Sequence, residues 1–206
     1  MDHTYHASLQ LLEPTAQDAL SNSHSAFFQP LLHRLLTAFC EGRVIPAMTE
    51  EEVRRVVYLS RFHDIGKQSL PRSILQKSGK LTLEERRILQ QHPALGVRLL
   101  RAIPTLRQYP YYDVLYDICL HHHERWDGGG LTGRHITPYV HVVALADAYD
   151  ALRTARPYKS PLSHGEALSM LCGGDCGAFS PGMISCLREL PEGFFAACYG
   201  EERKVG

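Results

Sequence analysis

His63-Asp64-Ile65-Gly66-Lys67 sets an imidazole beside a carboxylate whose two oxygens can bridge two cations while the imidazole holds one. Taken alone, the same pair is also an ordinary helix-terminal ion pair, so the rest of the chain has to decide. It holds twelve histidines in 206 residues. Among them, His24, His92 and the run His121-His122-His123-Glu124 lie in phase with, or at the ends of, apolar stripes. Asp147 lies on a later stripe, where a carboxylate among apolar neighbours needs a partner, and a metal is one. Just beyond it, Arg153-Thr154-Ala155-Arg156-Pro157-Tyr158-Lys159 is a local basic cluster that suits a phosphate or a solvated face.

The elements that must position these groups follow from periodicity. From Ser23, the residues His24, Phe28, Leu31, Leu35 and Phe39 recur at three- and four-residue steps, which puts His24 on the inward face of a helix. His33 lies half a turn round and is expected at the surface. A linker over residues 41–48, with Gly42 and Pro46, ends that helix. Thr49 with Glu52 reads as a capping box, and the apolar face Val53, Val56, Val57, Ser60 continues into His63 and Asp64. Gly66 lets the chain leave the helix, and Lys67 brings an ammonium within reach of whatever the metals hold.

Thr82 with Glu85 forms a second capping box, and the helix it opens must break at His92-Pro93, because proline removes a donor and disfavours helical geometry before it. His92 therefore sits at a helix junction, a place for a ligand or for a plain N-terminal histidine. Leu115, Ile118 and Cys119 lead into the three consecutive histidines. Neighbours on a helix diverge by about 100°, so at most two can aim at one cluster, and His122 and His123 are the expected pair with His121 in reserve. In Trp126-Asp127-Gly128-Gly129-Gly130 the glycines allow close approach to a ligand, or simply a tight turn. Thr137-Pro138 opens a strong helix with Val140, Val143, Ala144, Asp147 and Ala151 on one face. A further helix after Ser160 and an amphipathic segment from Pro181 to Leu190 follow, with no repeat and no strand alternation, so the fold is expected to be all-α.

Bulk properties narrow the function classes. Lys plus Arg and Asp plus Glu both number 22, so no global field argues for a nucleic-acid polymer or an acidic membrane. No apolar run approaches the roughly 18 residues of a membrane span. Six cysteines without CxxC pairing, Cys172 and Cys176 included, and no signal-peptide pattern point to free structural thiols in a reducing cytoplasm. One domain over 21–195 is expected, after a lead-in of 1–20 and before a tail of 196–206.

Taken in order, His24-Ser25, His63-Asp64-Ile65-Gly66-Lys67, His92-Pro93, His122-His123-Glu124-Arg125-Trp126-Asp127-Gly128, Ala146-Asp147-Ala148-Tyr149-Asp150-Ala151-Leu152 and Arg156-Pro157-Tyr158-Lys159 resemble the motif series of the HD-GYP subgroup of HD-domain phosphohydrolases, over roughly residues 20–195. The resemblance implies an HD-domain helical bundle with two iron or manganese ions, hydrolysing cyclic di-GMP to linear pGpG or GMP; zinc also suits such ligands. It implies His24, His63, Asp64 and Asp147 at one metal, Asp64 bridging, and His92, His122 and His123 at the other. Two such ions roughly 3.5–4 Å apart generate a hydroxide aimed at phosphorus. Asp64 and Lys67 are then the catalytic pair, Lys67, Arg156, Lys159, Gly129 and Gly130 meet the substrate, and a GGDEF-type cyclase or other signalling protein is the implied partner. Leu20 stands where some members carry a third-metal Glu, which favours two metals. The chain departs at the signature loop: Asp127-Gly128-Gly129-Gly130-Leu131-Thr132-Gly133 lacks the Tyr-Pro and is shortened, which bears on selectivity. A phosphohydrolase acting on another nucleotide, and a weakly catalytic regulatory binding module, are the competing expectations.

Overall fold

The computed structural model describes residues 26–133, 136–155 and 160–199. Among the described residues there is no strand, and the helices form one bundle around a common core. His24, Arg156 and Lys159 lie outside them.

Helix α1 (Phe28–Glu41) buries Phe28, Leu31, Leu32, Leu35, Leu36 and Phe39, the inward face expected from the three- and four-residue steps. Burying each such side chain is worth roughly 1.5–3 kcal/mol, which makes α1 a central strut. His33 on the opposite face meets Glu50 at 3.1 Å. Helix α2 (Glu50–Ser60) starts at the expected capping box: Glu52 N–H donates to Thr49 Oγ1 at 3.2 Å and Thr49 N–H to Glu52 Oε2 at 2.7 Å.

Helix α2 stops at Ser60, and residues 61–64 form turns leading to a 3-10 segment, Ile65–Ser69, so His63 and Asp64 stand just past the helix instead of continuing it. A short helix α3 (Arg72–Leu75) is followed by α4 (Leu83–Leu89), capped by the Thr82–Glu85 box, and α5 (His92–Arg101), which begins at the expected break. The 3-10 segment lies flat against α5. A Cβ on Gly66 would stand 1.9 Å from the His92 carbonyl oxygen and 2.4 Å from Gly96 N. Gly66 is thus needed for backbone-to-backbone approach, beyond the helix exit expected of it.

Helix α6 (Tyr112–His121) packs on α2 and α5, and α7 (Pro138–Arg153) packs on α1. Helix α7 is buried nearly all round, from Val140 through Ala146 and again at Tyr149, Asp150 and Leu152. Helices α8 (His164–Gly173) and α9 (Pro181–Glu189) close one side. Helix α10 (Glu192–Tyr199) runs across the expected boundary at residue 195, because Phe195 and Cys198, about one turn apart, both bury in the core. No described helix is long and apolar enough to cross a membrane.

Candidate metal centre

Three chain reversals converge on one point. The turn after α2 supplies His63 and Asp64, the first residue of α5 supplies His92, and the turn after α6 supplies His122 and His123. His63, Asp64, His92 and His122 are at most 3% exposed. Ligand atoms of His92, His122 and His123 lie within 4.8 Å of one another, as do those of His63, Asp64 and His122.

His122 is common to both groups, and Asp64, a member of the second, reaches into the first. Its Oδ1 is 3.1 Å from His92 Nε2 and 3.8 Å from His122 Nε2, and its Oδ2 is 3.5 Å from His63 Nε2. The two oxygens therefore address different histidines, the disposition a bridging carboxylate needs. Lys67 Nζ also bonds Oδ2, which ties the ammonium of the 3-10 segment to the centre.

The orientation of the rings is set by backbone carbonyls. His63 Nδ1 lies 2.6 Å from Ser60 O, His92 Nδ1 2.8 Å from Leu89 O, and His122 Nδ1 3.0 Å from Ile118 O. A carbonyl only accepts, so each Nδ1 carries the proton and each Nε2 turns its lone pair inward. His92 Nε2 and His122 Nε2 then face each other across 3.1 Å. A shared proton can reconcile one such pair, whereas divalent cations would satisfy the inward nitrogens and the Asp64 oxygens alike. Imidazole nitrogens with a carboxylate are a donor set for borderline transition ions, so the cluster fits a metal.

Burial, reinforced by the rings of His123, His63 and His92, holds His122 well below the ordinary imidazole range. Burial likewise pushes His123 down to about 4, although the Asp147 carboxylate opposes this. Asp147 is half-buried on α7, and its charge acts on both His123 and Arg125. Cys119 beside Asp64 donates to Phe62 O at 3.1 Å, and burial raises its pKa, so this thiol is kept protonated and is no thiolate ligand.

These depressed values predict an acid-labile metal-free protein. Unfolded histidine titrates near 6.5. With a folded value of about 4 at His123 and at His141, the unfolded chain binds protons first as pH falls. Stability is full above about 6.5 and drains toward pH 4, by at most about 3 kcal/mol per ring. Urea midpoints measured with chelator should fall between about pH 7.5 and about pH 5; equal midpoints would refute the assignment.

The structure brings the rings of His122 and His123, the pair expected from the sequence, close together. Both residues follow the last helical residue, His121, with His122 still at φ −63° and ψ −13°, and their ring centroids are 4.2 Å apart. His121 joins neither cluster among the described residues.

In the glycine loop, Gly129 is exposed in a turn whose N–H donates to Asp127 Oδ1 at 2.9 Å, and Gly130 packs on Glu124, where a Cβ would lie 2.4 Å from its Cα. Glu124, which periodicity did not single out, is fully buried and accepts from Thr132 N–H at 2.8 Å, fastening this loop beside the centre. Its position directly after three histidines was the available signal. Gly96, which packs on Gly66, is likewise built into the surroundings of the centre without having stood out in the sequence.

Comparison with known proteins places this geometry. The family model described as "HD domain" matches residues 17–174. The chain is 38% identical over 144 residues to the cyclic di-GMP phosphodiesterase response regulator RpfG of Xanthomonas campestris pv. campestris (strain 8004), covering 68% of this chain and 37% of the relative. It is 32% identical over 203 residues to a cyclic di-GMP phosphodiesterase of Thermotoga maritima, covering 88% and 54%. To the 3'3'-cGAMP-specific phosphodiesterase 2 of Vibrio cholerae it is 35% identical over 164 residues, covering 77% and 30%. The chain thus spans about a third to a half of the length of these curated relatives. Among solved structures, an HDG"Y"P protein from Bdellovibrio bacteriovorus shares the fold, with a TM-score of 0.58 at 19% identity, over 79% of this chain and 50% of that one.

Proposed function

The chain belongs to the HD-domain family, and from that premise we propose that it is a metal-dependent phosphodiesterase that hydrolyses a cyclic dinucleotide, cyclic di-GMP foremost. One observation carries the reading: three rings locked through Nδ1 to backbone carbonyls turn Nε2 toward the two oxygens of one buried carboxylate. We assign His24, His63, Asp64 and Asp147 to one ion and His92, His122 and His123 to another, with Asp64 between them; iron or manganese is our choice, with zinc as the substitute.

When bound, the ions supply Lewis acidity toward the phosphodiester and lower the pKa of a water. The chain's own groups do the rest. The backbone carbonyls keep each ring in the tautomer that can ligate. Lys67, held on Asp64, offers its ammonium to a non-bridging phosphate oxygen or to the departing alkoxide. Arg156 and Lys159 grip the phosphates, Arg as a planar fork and Lys as a point charge. Glu124 and Gly130 hold the loop bearing Gly129 against the centre, where it meets the substrate. The protein partner on this reading is a GGDEF-type cyclase or another signalling protein, and the six free thiols suit the reducing cytoplasm.

The test is metal content of anaerobically purified protein, paired on the same sample with hydrolysis of cyclic di-GMP and of 3'3'-cGAMP. Two equivalents of metal with conversion of cyclic di-GMP to pGpG or GMP is the expected result. Turnover of 3'3'-cGAMP alone would move the substrate to the second kind of relative. Absence of metal after reconstitution would overturn the reading. Arg156→Ala should raise KM roughly tenfold or more, the loss of a charge-assisted contact, with metal content unchanged. Metal loss in that variant would refute the division of roles.

A further inference from the structure

Trp126 is the chain's one tryptophan, and it is 53% exposed. A loose indole at a surface is unremarkable, but this one is fastened. Its backbone N–H donates to the Ala178 carbonyl at 3.0 Å. The preceding Arg125 donates from Nε to Cys176 O at 3.0 Å and from Nη1 to Glu124 O at 2.9 Å. Gly177, at φ +90°, lets that strand of chain lie on Arg125, since a Cβ there would stand 2.5 Å from Nε.

Beneath the indole lies His141, 3% exposed, its ring within 10° of parallel at a centroid separation of 5.9 Å. Phe179 supports His141 from 5.7 Å. Burial pushes His141 down to about 4, so it stays uncharged and the stack is one of neutral rings. The indole is thereby aligned from one side while much of its surface meets solvent.

Chain spacing bounds the separation from the histidine centre to a nucleotide's length. Trp126 follows His123 by three residues, so their Cα atoms lie within roughly 10 Å. His141 precedes Asp147 by six residues, about 9 Å along α7. Separations of this order lie between the phosphate of a nucleotide and the far edge of its base.

We propose that Trp126 is the base platform of this chain: with a phosphodiester at the histidine centre, a purine ring of the substrate stacks on the exposed indole that His141 and the Ala178 carbonyl hold in place. The inference rests on the phosphodiesterase reading for its substrate class. Because the ring is already ordered, little entropy is lost on binding. Every base has a π-face, so the platform supplies affinity for a base and not a choice between guanine and adenine.

A single tryptophan makes the test direct. The emission of the full chain, excited at the red edge of indole absorption where guanine does not absorb, should be quenched saturably by GMP and left unchanged by ribose 5-phosphate. Trp126→Leu should raise KM for the cyclic dinucleotide roughly tenfold or more while kcat, metal content and helical circular dichroism hold, and Trp126→Tyr should recover most of the loss. An emission indifferent to GMP, or a Leu variant with wild-type KM, would overturn the proposal; the titration stands as a test even if the Leu variant does not fold. Hydrolysis of a cyclic dinucleotide with an unresponsive Trp126 would remove the platform and keep the phosphodiesterase reading. Saturable quenching without hydrolysis would do the reverse.

Discussion

Asp64→Ala is expected to strip the centre of metal and to abolish turnover in the same step. Its carboxylate faces histidines of both subsets, 3.1 Å from His92 Nε2 through one oxygen and 3.5 Å from His63 Nε2 through the other. Loss of an outer-shell partner alone typically costs about 10–100-fold in affinity or activity. Removing a bridging ligand takes negative charge from the whole cluster, so the loss should exceed that range, to about a thousandfold or more. The fold should survive, because Lys67 reaches solvent and need not remain as a buried unpaired charge once Asp64 is gone. Metal analysis, activity and circular dichroism on one preparation check this. Full activity, or metal retained at wild-type stoichiometry, would sink the bridging role. His63→Ala should lose metal and activity in the same way.

Gly66→Ala should be among the most destabilising single methyl groups that can be added to the described residues. The new Cβ would meet backbone atoms, 1.9 Å from His92 O, 2.4 Å from Gly96 N and 2.9 Å from His92 C. No rotamer change relieves a clash with backbone, so the 3-10 segment must part from α5. The cost expected for such overpacking is roughly 3 kcal/mol, which lowers Tm by about 6–12 °C in a chain of this size. The same shift carries His92 away from Asp64, so metal affinity should fall even in the folded fraction. Gly96→Ala is the control: its nearest contacts are 3.3 Å, and a far milder effect follows. A Gly66→Ala protein with wild-type Tm and metal content would show that this contact does not set the geometry of the centre.

Local signals in the chain were enough for much of the frame. Thr49 and Thr82, each with a glutamate three residues on, open helices where expected, because a capping box is satisfied within one turn and owes nothing to distant residues. The break before Pro93 is equally local. His33 falls on the surface and Phe28, Leu31, Leu35 and Phe39 in the core for the same reason: one helix has one inward face. The domain end was less legible, since the short run around Phe195 and Cys198 is a helix only by virtue of the core that it covers.

The sequence by itself determined an all-α chain and a short roster of imidazoles and carboxylates in phase with its core, since residue type and helical phase are both written along the chain. Only the tertiary structure decided how these groups meet. His122 and His123 meet His92 at the turn that follows α6, and the two oxygens of Asp64 divide between histidines 28 and 58 residues further along on one side and His63 on the other. That convergence depends on Gly66 letting two backbones touch and on the carbonyls of Ser60, Leu89 and Ile118 aiming three rings. Contacts between residues far apart in the chain are set by packing, and packing leaves no period in the sequence to be read.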